Sequence, residues 1–597
     1  MKLDILLSTM HMKSADEIRK LNISGNCIVV NQCDEDKVET IQIEETSAKQ
    51  TILYTKERGL SKSRNMALFA SNADICKLSD DDLNYEEDYE KRIIQAFIDY
   101  PKADVICFHV TRPERKKPTF LKPKKLNYIT SLKVCSVEIA FRKERVEGIQ
   151  FREDFGTGSK QYLMGEENIF LYDCLKKKLE VLYLPVTIGS LLDSESTWDT
   201  GFHKEFFVSR GANYYAMSRL GSHALIWQYA LRKTGEYKET VSFVDAIKSM
   251  YQGRNQIKQR EILLIGDDYS TTGPAIVTRE YMNYLPSAVR HLRFQSKILR
   301  LIELKMKLSQ STIIMCSGIS RQNIIAYKHA QKYNKKSVYL MHGNVAFENQ
   351  MNQVYNPQLE ALERSILESV DCIMTVSKCY GDWVKNKYPK YQHKVVEMTN
   401  GIDYRLFEKI SEEDAKPFAK TDQDKKRVMS IGGGLPLKNI VTLCKAIKEL
   451  IDEKRIVIEL CVFGQEDLDS QEIRSYDFVK DYGVVPHDQL LGFMRTADIY
   501  VQNSLYETFG LAPIEAGMMG CKLIISNKVG AKDTLMELFT LNKEQIITDP
   551  LDVNELKEAI NRQLTSKAKT QSVTLLRKYE TSIQKRSMEL FQYLSQI

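Results

Sequence analysis

Two stretches constrain this chain most: "REILLIGDDYSTTGPAIVTREYMNYL", which opens near residue 261, and "RVMSIGGGLPLKNIVTLCKAIKEL", which opens at 427. Each runs from a strand through a glycine-bearing turn into a helix, as a doubly wound α/β domain opens. The first 190 residues carry an α/β pattern of their own. "KLDILLST", "NCIVVNQ", "TILYT", "ADICKLS" and "ADVICFHV" read as strands, while "SKSRNMALFAS" and "YEEDYEKRIIQAFIDY" have helical spacing. A chain of 597 residues is far too long for one core. The pattern therefore predicts an α/β unit, a helical connector rich in aromatics ("HKEFFVSRGANYYAMSRLGSHALIWQYALRK"), two further α/β units and a helical tail.

Composition excludes several classes of function. The 85 basic and 79 acidic residues leave a net charge of +6, too mild to argue for nucleic acid. No run of eighteen apolar residues occurs, and "MKLDILLSTMHMKSADE" passes from an apolar strand into charged sequence with no cleavage region. The expectation is a cytoplasmic protein, peripheral at most at the inner face of the cell membrane. The 12 cysteines are scattered without zinc or CxxC spacing, which predicts buried thiols in a reducing compartment.

The last α/β unit concentrates chemistry. After "VMSIGGG", the helix expected over "LKNIVTLCKAIKEL" offers free N–H groups and a positive dipole end for phosphate, and Lys438 adds a point charge. Downstream, "DIYVQNS" runs into "LYETFGLAPIEAGMMG", placing Glu507 at the sheet edge and Glu515 about two turns into the next helix. Backbone N–H groups of the "TFGLAP" turn suit a diphosphate, and the glutamates suit sugar hydroxyls. The stretch is fitted to a nucleotide-sugar.

With "SVDCIMTVSKCYGDWV" and "TNGIDYRLF", these elements resemble the retaining family-four glycosyltransferases of the GT-B fold, over roughly residues 261 to 565. The resemblance implies two Rossmann-like domains, 261–405 on the acceptor side and 406–565 on the donor side, followed by a tail over 566–597. It also implies a donor site of Gly273, Gly433, Gly434, Lys438, Phe509, Gly510, Leu511 and Glu515, with Glu507 and His342 of "YLMHGN" as catalytic residues and no cofactor. Many relatives have an arginine five residues before the lysine, where this chain has Gly433.

The first unit has its own constellation. The strand "ADICKLSDDD" delivers Asp80, Asp81 and Asp82 at its C-terminal end, and carboxylates so crowded repel unless they share a cation. Mg²⁺ or Mn²⁺ bridging a diphosphate is the economical answer. The glycine loop of "FREDFGTGSKQYLMGEENIF" then leads to Glu166 and Glu167 at a helix start. Residues 1–190 thus resemble the GT-A fold of inverting family-two glycosyltransferases, with 191–260 as the connector. That resemblance implies a DxD-type site in which Asp80 and Asp82 hold the metal and Asp80 and Asp81 the donor, with Arg64 at the donor also. Glu167 is then the base, Glu166 its alternative, and His203 a third metal ligand. Glutamate replaces the family's more usual aspartate at the base.

Together these readings imply a bifunctional glycosyltransferase for a surface polysaccharide or glycoconjugate, inverting in one half and retaining in the other. Its partners are nucleotide-sugar donors, UDP-sugars first, and a lipid-linked or protein-linked glycan acceptor, without nucleic acid. A single-activity glycosyltransferase whose other half only binds acceptor or is structural is the alternative. The run "RPERKKPTFLKPKK", residues 112 to 125, has seven basic residues and three prolines. It is expected as an exposed extended loop, either solvated surface or a contact with an anionic membrane.

Overall fold

The computed structural model of the chain describes residues 1–42, 48–113, 115–192, 201–270, 272–420, 425–566 and 573–597. It divides into two compact units: Met1–Ile262 with Asn283–Arg290 and Ser587–Ile597, and Leu263–Met282 with His291–Arg586.

The first unit is built on ten strands: β1 (Leu3–Met10), β2 (Cys27–Gln32), β3 (Lys37–Gln42), β4 (Lys49–Thr55), β5 (Ile75–Asp80), β6 (Leu83–Tyr85), β7 (Val105–Thr111), β8 (Lys124–Lys125), β9 (Ile139–Arg142) and β10 (Val181–Leu191). They form one mixed sheet in the order β3-β4-β2-β1-β5-β9-β7-β10-β6, with β8 on β10. β4, β2, β1 and β5 run parallel. β1 is buried along almost its whole length, as a central parallel strand requires. Its Leu3, Ile5 and Leu7 share a core with Val29, Ile52, Tyr89 and Ile93. The five strands read from apolar runs are present. β3 and β9, by contrast, are short antiparallel insertions whose place is set by their partners, Lys37–Gln42 against β4 and Ile139–Arg142 between β5 and β7.

Three helices follow, Lys204–Met217, Ser222–Tyr237 and Phe243–Lys258. Their aromatics pack with Phe155, Tyr162, Ile169 and Tyr172 into one core, so they belong to the first unit's interior. Gly211 and Gly253 let the first and third of them touch: a Cβ at either would fall 1.8 Å from a carbonyl oxygen, that of Met250 or Val208. The loop 112–125 is bent rather than extended, with Arg112 bridged to Arg115 and bends over 119–122; Arg112 is buried and most of the rest is exposed, Leu121 at 77%. Its end is pinned where Lys124 and Lys125 pair with β10 and Lys124 Nζ lies 4.4 Å over the Phe120 ring. Glu114 lies outside the described residues.

The second unit carries two six-stranded sheets. One comprises β11 (Ile262–Ile265), β12 (Arg290–His291), β13 (Ile313–Ser317), β14 (Lys336–Met341), β15 (Cys372–Thr375) and β16 (Val395–Glu397), in the order β12-β11-β13-β14-β15-β16. The other comprises β17 (Lys426–Ile431), β18 (Ile458–Phe463), β19 (Val479–Asp481), β20 (Ile499–Gln502), β21 (Lys522–Ser526) and β22 (Ile546–Ile547), all parallel in the order β19-β18-β17-β20-β21-β22. That is the dinucleotide-fold order 3-2-1-4-5-6. Two Rossmann-like sheets in series are what the GT-B resemblance implies. All twelve cysteines are free and nine are buried. Among the described residues no helix is long and apolar enough to cross a membrane.

Candidate functional site

In an open α/β sheet, ligands bind outside the carboxyl ends of the strands where the strand order reverses. In the last sheet that point lies between β17 and β20. The turn Gly432–Gly434 follows β17, and the segment leading to Glu507 follows β20. Across them Lys438 Nζ donates to Glu507 Oε2. The two residues singled out for donor phosphates and donor sugar thus meet at the switch point.

Local chemistry shapes this site differently from the sequence reading in three places. Lys438 lies in a 3₁₀ turn, Pro436–Lys438, and the helix begins only at Ile440. Asn439 separates the two in a left-handed conformation (φ +54°), held by its Nδ2 donating to the Asn503 and Pro550 carbonyls. Likewise the left-handed Gly510 delays the next helix to Leu511, so Glu515 stands about one turn into Leu511–Met518. Phe509 is a core residue, 3% exposed, whose carbonyl accepts from Ala531 N at 2.6 Å.

Gly433 has a structural reason. Its φ is +56°, and a Cβ there would fall 2.0 Å from the Gln465 carbonyl oxygen. Gly434 is equally hemmed in, its would-be Cβ 2.1 Å from Ser470 Oγ. This turn has no room for the arginine of the relatives. Gly273, at the start of the helix Gly273–Tyr284, is exposed, and a Cβ there would meet open space.

His342 follows β14 and is 9% exposed. Its Nε2 lies 2.7 Å from Ser317 Oγ, which lies 2.6 Å from Thr278 Oγ1. Burial pushes the imidazole down to about 4, so it is neutral at ordinary pH. Two residues not read from the sequence join these. Glu348, in the helix Val345–Met351, folds back onto Gly343, whose Cβ would fall 2.0 Å from Glu348 Oε1. Burial, then the nearby Glu507, pushes its carboxyl up to about 7. His487 Nε2 is 3.1 Å from Glu515 Oε1 and is raised by that bond. Neither belongs to a recognisable motif; only spatial neighbours mark them.

In the first unit the candidates gather at the carboxyl ends of β1 and β5. Arg64, in the helix Leu60–Ala70, is 1% exposed and joins Glu166 (Nη1 to Oε1, 2.8 Å) to Asp80 (Nη2 to Oδ1, 3.1 Å). Both terminal nitrogens of this guanidinium, which the GT-A resemblance implies as a donor contact, are held by acids. The glycine loop stays close because Leu60 N donates to the Thr157 carbonyl at 2.9 Å and Ser61 Oγ to that of Phe155 at 2.7 Å. Asp81 accepts from Thr9 Oγ1 at 2.7 Å. Asp82 keeps a buried Oδ1 without a hydrogen-bond partner, and burial, then Asp80 and Asp81, pushes its carboxyl up to about 6. Burial, then Glu166, pushes Glu167 well above the carboxylate range.

An unpartnered buried carboxylate oxygen beside two more carboxylates suits a divalent cation that takes its other ligands from diphosphate and water. Among the described residues, however, no group of three or more His, Cys, Asp and Glu side chains is placed to hold a metal. His203 does not complete one: it stands at the start of the helix Lys204–Met217, its Nδ1 3.0 Å from Glu205 Oε2.

Residues 411–578, which contain the last Rossmann-like sheet, match the family described as Glycosyl transferases group 1, so that part of the chain carries a glycosyltransferase domain. The chain is 26% identical over 203 residues to an uncharacterized glycosyltransferase of Methanocaldococcus jannaschii, covering 32% of this chain and 50% of that one. It thus spans about half the length of this curated relative. Among solved structures it is similar to a sucrose-phosphate synthase from Thermosynechococcus elongatus (TM-score 0.41, 19% identity, 56% of this chain and 95% of the other). It is also similar to HepE of Anabaena in complex with UDP (TM-score 0.39, 13% identity, 56% and 95%).

Proposed function

We propose that this protein is a glycosyltransferase using nucleotide-sugar donors, UDP-sugars first. The observation that carries the reading is the Lys438–Glu507 pair at the strand-order reversal of a sheet within the glycosyltransferase match. On diphosphate binding, Lys438 exchanges the Glu507 carboxylate for phosphate oxygens and Glu507 turns to sugar hydroxyls. Glu515 holds the ribose. The GT-B resemblance implies same-face attack: the acceptor oxygen bonds to the anomeric carbon as the bond to diphosphate breaks, and the donor's own phosphate takes the acceptor proton. Neutral, buried His342 faces the sugar as a hydrogen-bonding group rather than a charge.

The finer reading gives the first unit a second, inverting transfer on a GT-A fold. A divalent cation on Asp80 and Asp82 would supply charge stabilisation of the leaving diphosphate. Glu167 takes the proton of the acceptor hydroxyl, which attacks from the face opposite the nucleotide. Arg64 holds Glu166 and Asp80 in register. The product is glycan on a lipid-linked or protein-linked acceptor. A single-activity enzyme is the second reading, favoured by Gly433, which removes one cation from the diphosphate clamp of the GT-B half.

The test incubates the full chain with a panel of sugar nucleotides and measures released nucleoside diphosphate. Asp82→Ala should abolish one metal-dependent transfer and Glu515→Ala another that survives EDTA. If either variant removes both activities, the two-site reading is wrong; if no donor is turned over, so is the transferase reading.

A further inference from the structure

The helix Lys297–Gln310 has apolar residues on both sides: Leu304 and Leu308 are buried, while a second apolar stripe faces water. Its charged residues Arg300 and Glu303 are 5% and 6% exposed, while Ile298, Leu299, Ile302 and Met306 are 74%, 47%, 53% and 58% exposed, with Phe294 just before them at 49%. The inward charges are in use. Arg300 Nη2 donates to the Gly266 carbonyl at 2.7 Å and its Nε to Gln322 Oε1 at 3.2 Å. Glu303 accepts from Arg293 N at 2.9 Å and pairs with Lys307 at 2.7 Å. Packing of Arg300, Glu303, Leu304 and Leu308 therefore fixes the helix with its second apolar stripe, Ile298, Ile302 and Met306 at i, i+4 spacing, to solvent, a patch of the kind that marks an interaction surface.

Charge identifies the partner. Residues 291–336 contain ten lysines and arginines and a single acid, Glu303, which Lys307 already occupies. Arg293, Lys297 and Lys305 lie exposed around the apolar stripe; the neighbouring helix Arg321–Lys332 adds exposed Arg321, Lys328 and Lys332 beside Ile325. A second copy meeting this face symmetrically would set cations against cations. Nucleic acid would reward the cations but leave the apolar stripe in water. An anionic bilayer satisfies both, taking apolar side chains at the acyl boundary and the cations among phosphates.

We propose that the helix Lys297–Gln310 docks this protein on an anionic membrane surface, with Ile298, Ile302 and Met306 inserted and Lys297 and Lys305 at the headgroups. This surface stands apart from the transfer reaction, so its failure leaves the transferase reading intact.

The test is co-sedimentation of the full chain with vesicles of phosphatidylcholine, alone or with about 30 mol % phosphatidylglycerol. The native protein should bind the mixed vesicles, not the neutral ones, and release in high salt. Ile298→Ser/Ile302→Ser/Met306→Ser and Lys297→Gln/Lys305→Gln should each weaken binding at least about tenfold with unchanged melting, because the altered side chains are exposed. Should the triple variant fail to fold, the surface charge variant decides. The proposal is overturned if the native chain does not bind, if both variants bind as it does, or if removing the lysines and arginines of the loop 112–125 alone abolishes binding. A native dimer that the triple variant dissociates in the absence of vesicles also overturns it.

Discussion

Arg64→Met tests whether the first unit's candidate site is held together by one buried guanidinium. Arg64 is 1% exposed and pairs with Glu166, whose side chain is 7% exposed, and with Asp80. Methionine keeps most of the volume but leaves the Glu166 carboxylate without its cation. Breaking a buried pair by removing one partner costs about 3–5 kcal/mol. The expected loss is therefore about 3–5 kcal/mol at neutral pH. Calorimetry of the native chain and the variant measures it on the first unit's transition. A deficit under about 1 kcal/mol would refute the argument and leave Arg64 free to reach a ligand.

Three further outcomes follow from particular residues. Glu167→Gln should lower the metal-dependent rate by about 10²–10⁴ with donor affinity nearly unchanged. Since a base acts when deprotonated and burial with Glu166 pushes Glu167 up to about 8, the native rate should rise with pH through that value; a flat pH–rate profile there would assign the proton elsewhere. Gly433→Ala should cost at least about 2 kcal/mol through its left-handed backbone and the 2.0 Å approach to the Gln465 carbonyl. Gly433→Arg should likewise lower the second unit's melting temperature without tightening donor binding, whereas a stable variant with higher donor affinity would show that the turn can accept the relatives' arginine. His342 should show no NMR titration between about pH 5.5 and 8, because burial holds it down to about 4; a midpoint near 6.5 would place it in water.

The amino-acid sequence by itself determined the class of the fold and the position of each turn that bears chemistry. Parallel strands buried on both faces need unbroken apolar runs, so β1, β2, β5 and β7 stand out as letters. Glycine turns between strand and helix mark the domain openings because few other residues tolerate them. Lys438, Glu507, Asp80 and Glu166 stand out as candidates because each follows such a signal at fixed spacing. Contacts between distant segments were not legible. Neither the antiparallel place of β9 between β5 and β7 nor the closure of Arg64 on Glu166 and Asp80 has a local signature. The same holds for Glu348 beside Glu507, 159 positions later, and for the helix Lys297–Gln310, whose apolar residues lie on both sides and leave the inward one undetermined by pattern alone. Periodicity says that a helix has two faces; which face meets water depends on what Gly266, Gln322 and the backbone of Arg293 offer its charges, and only the folded chain brings those partners together.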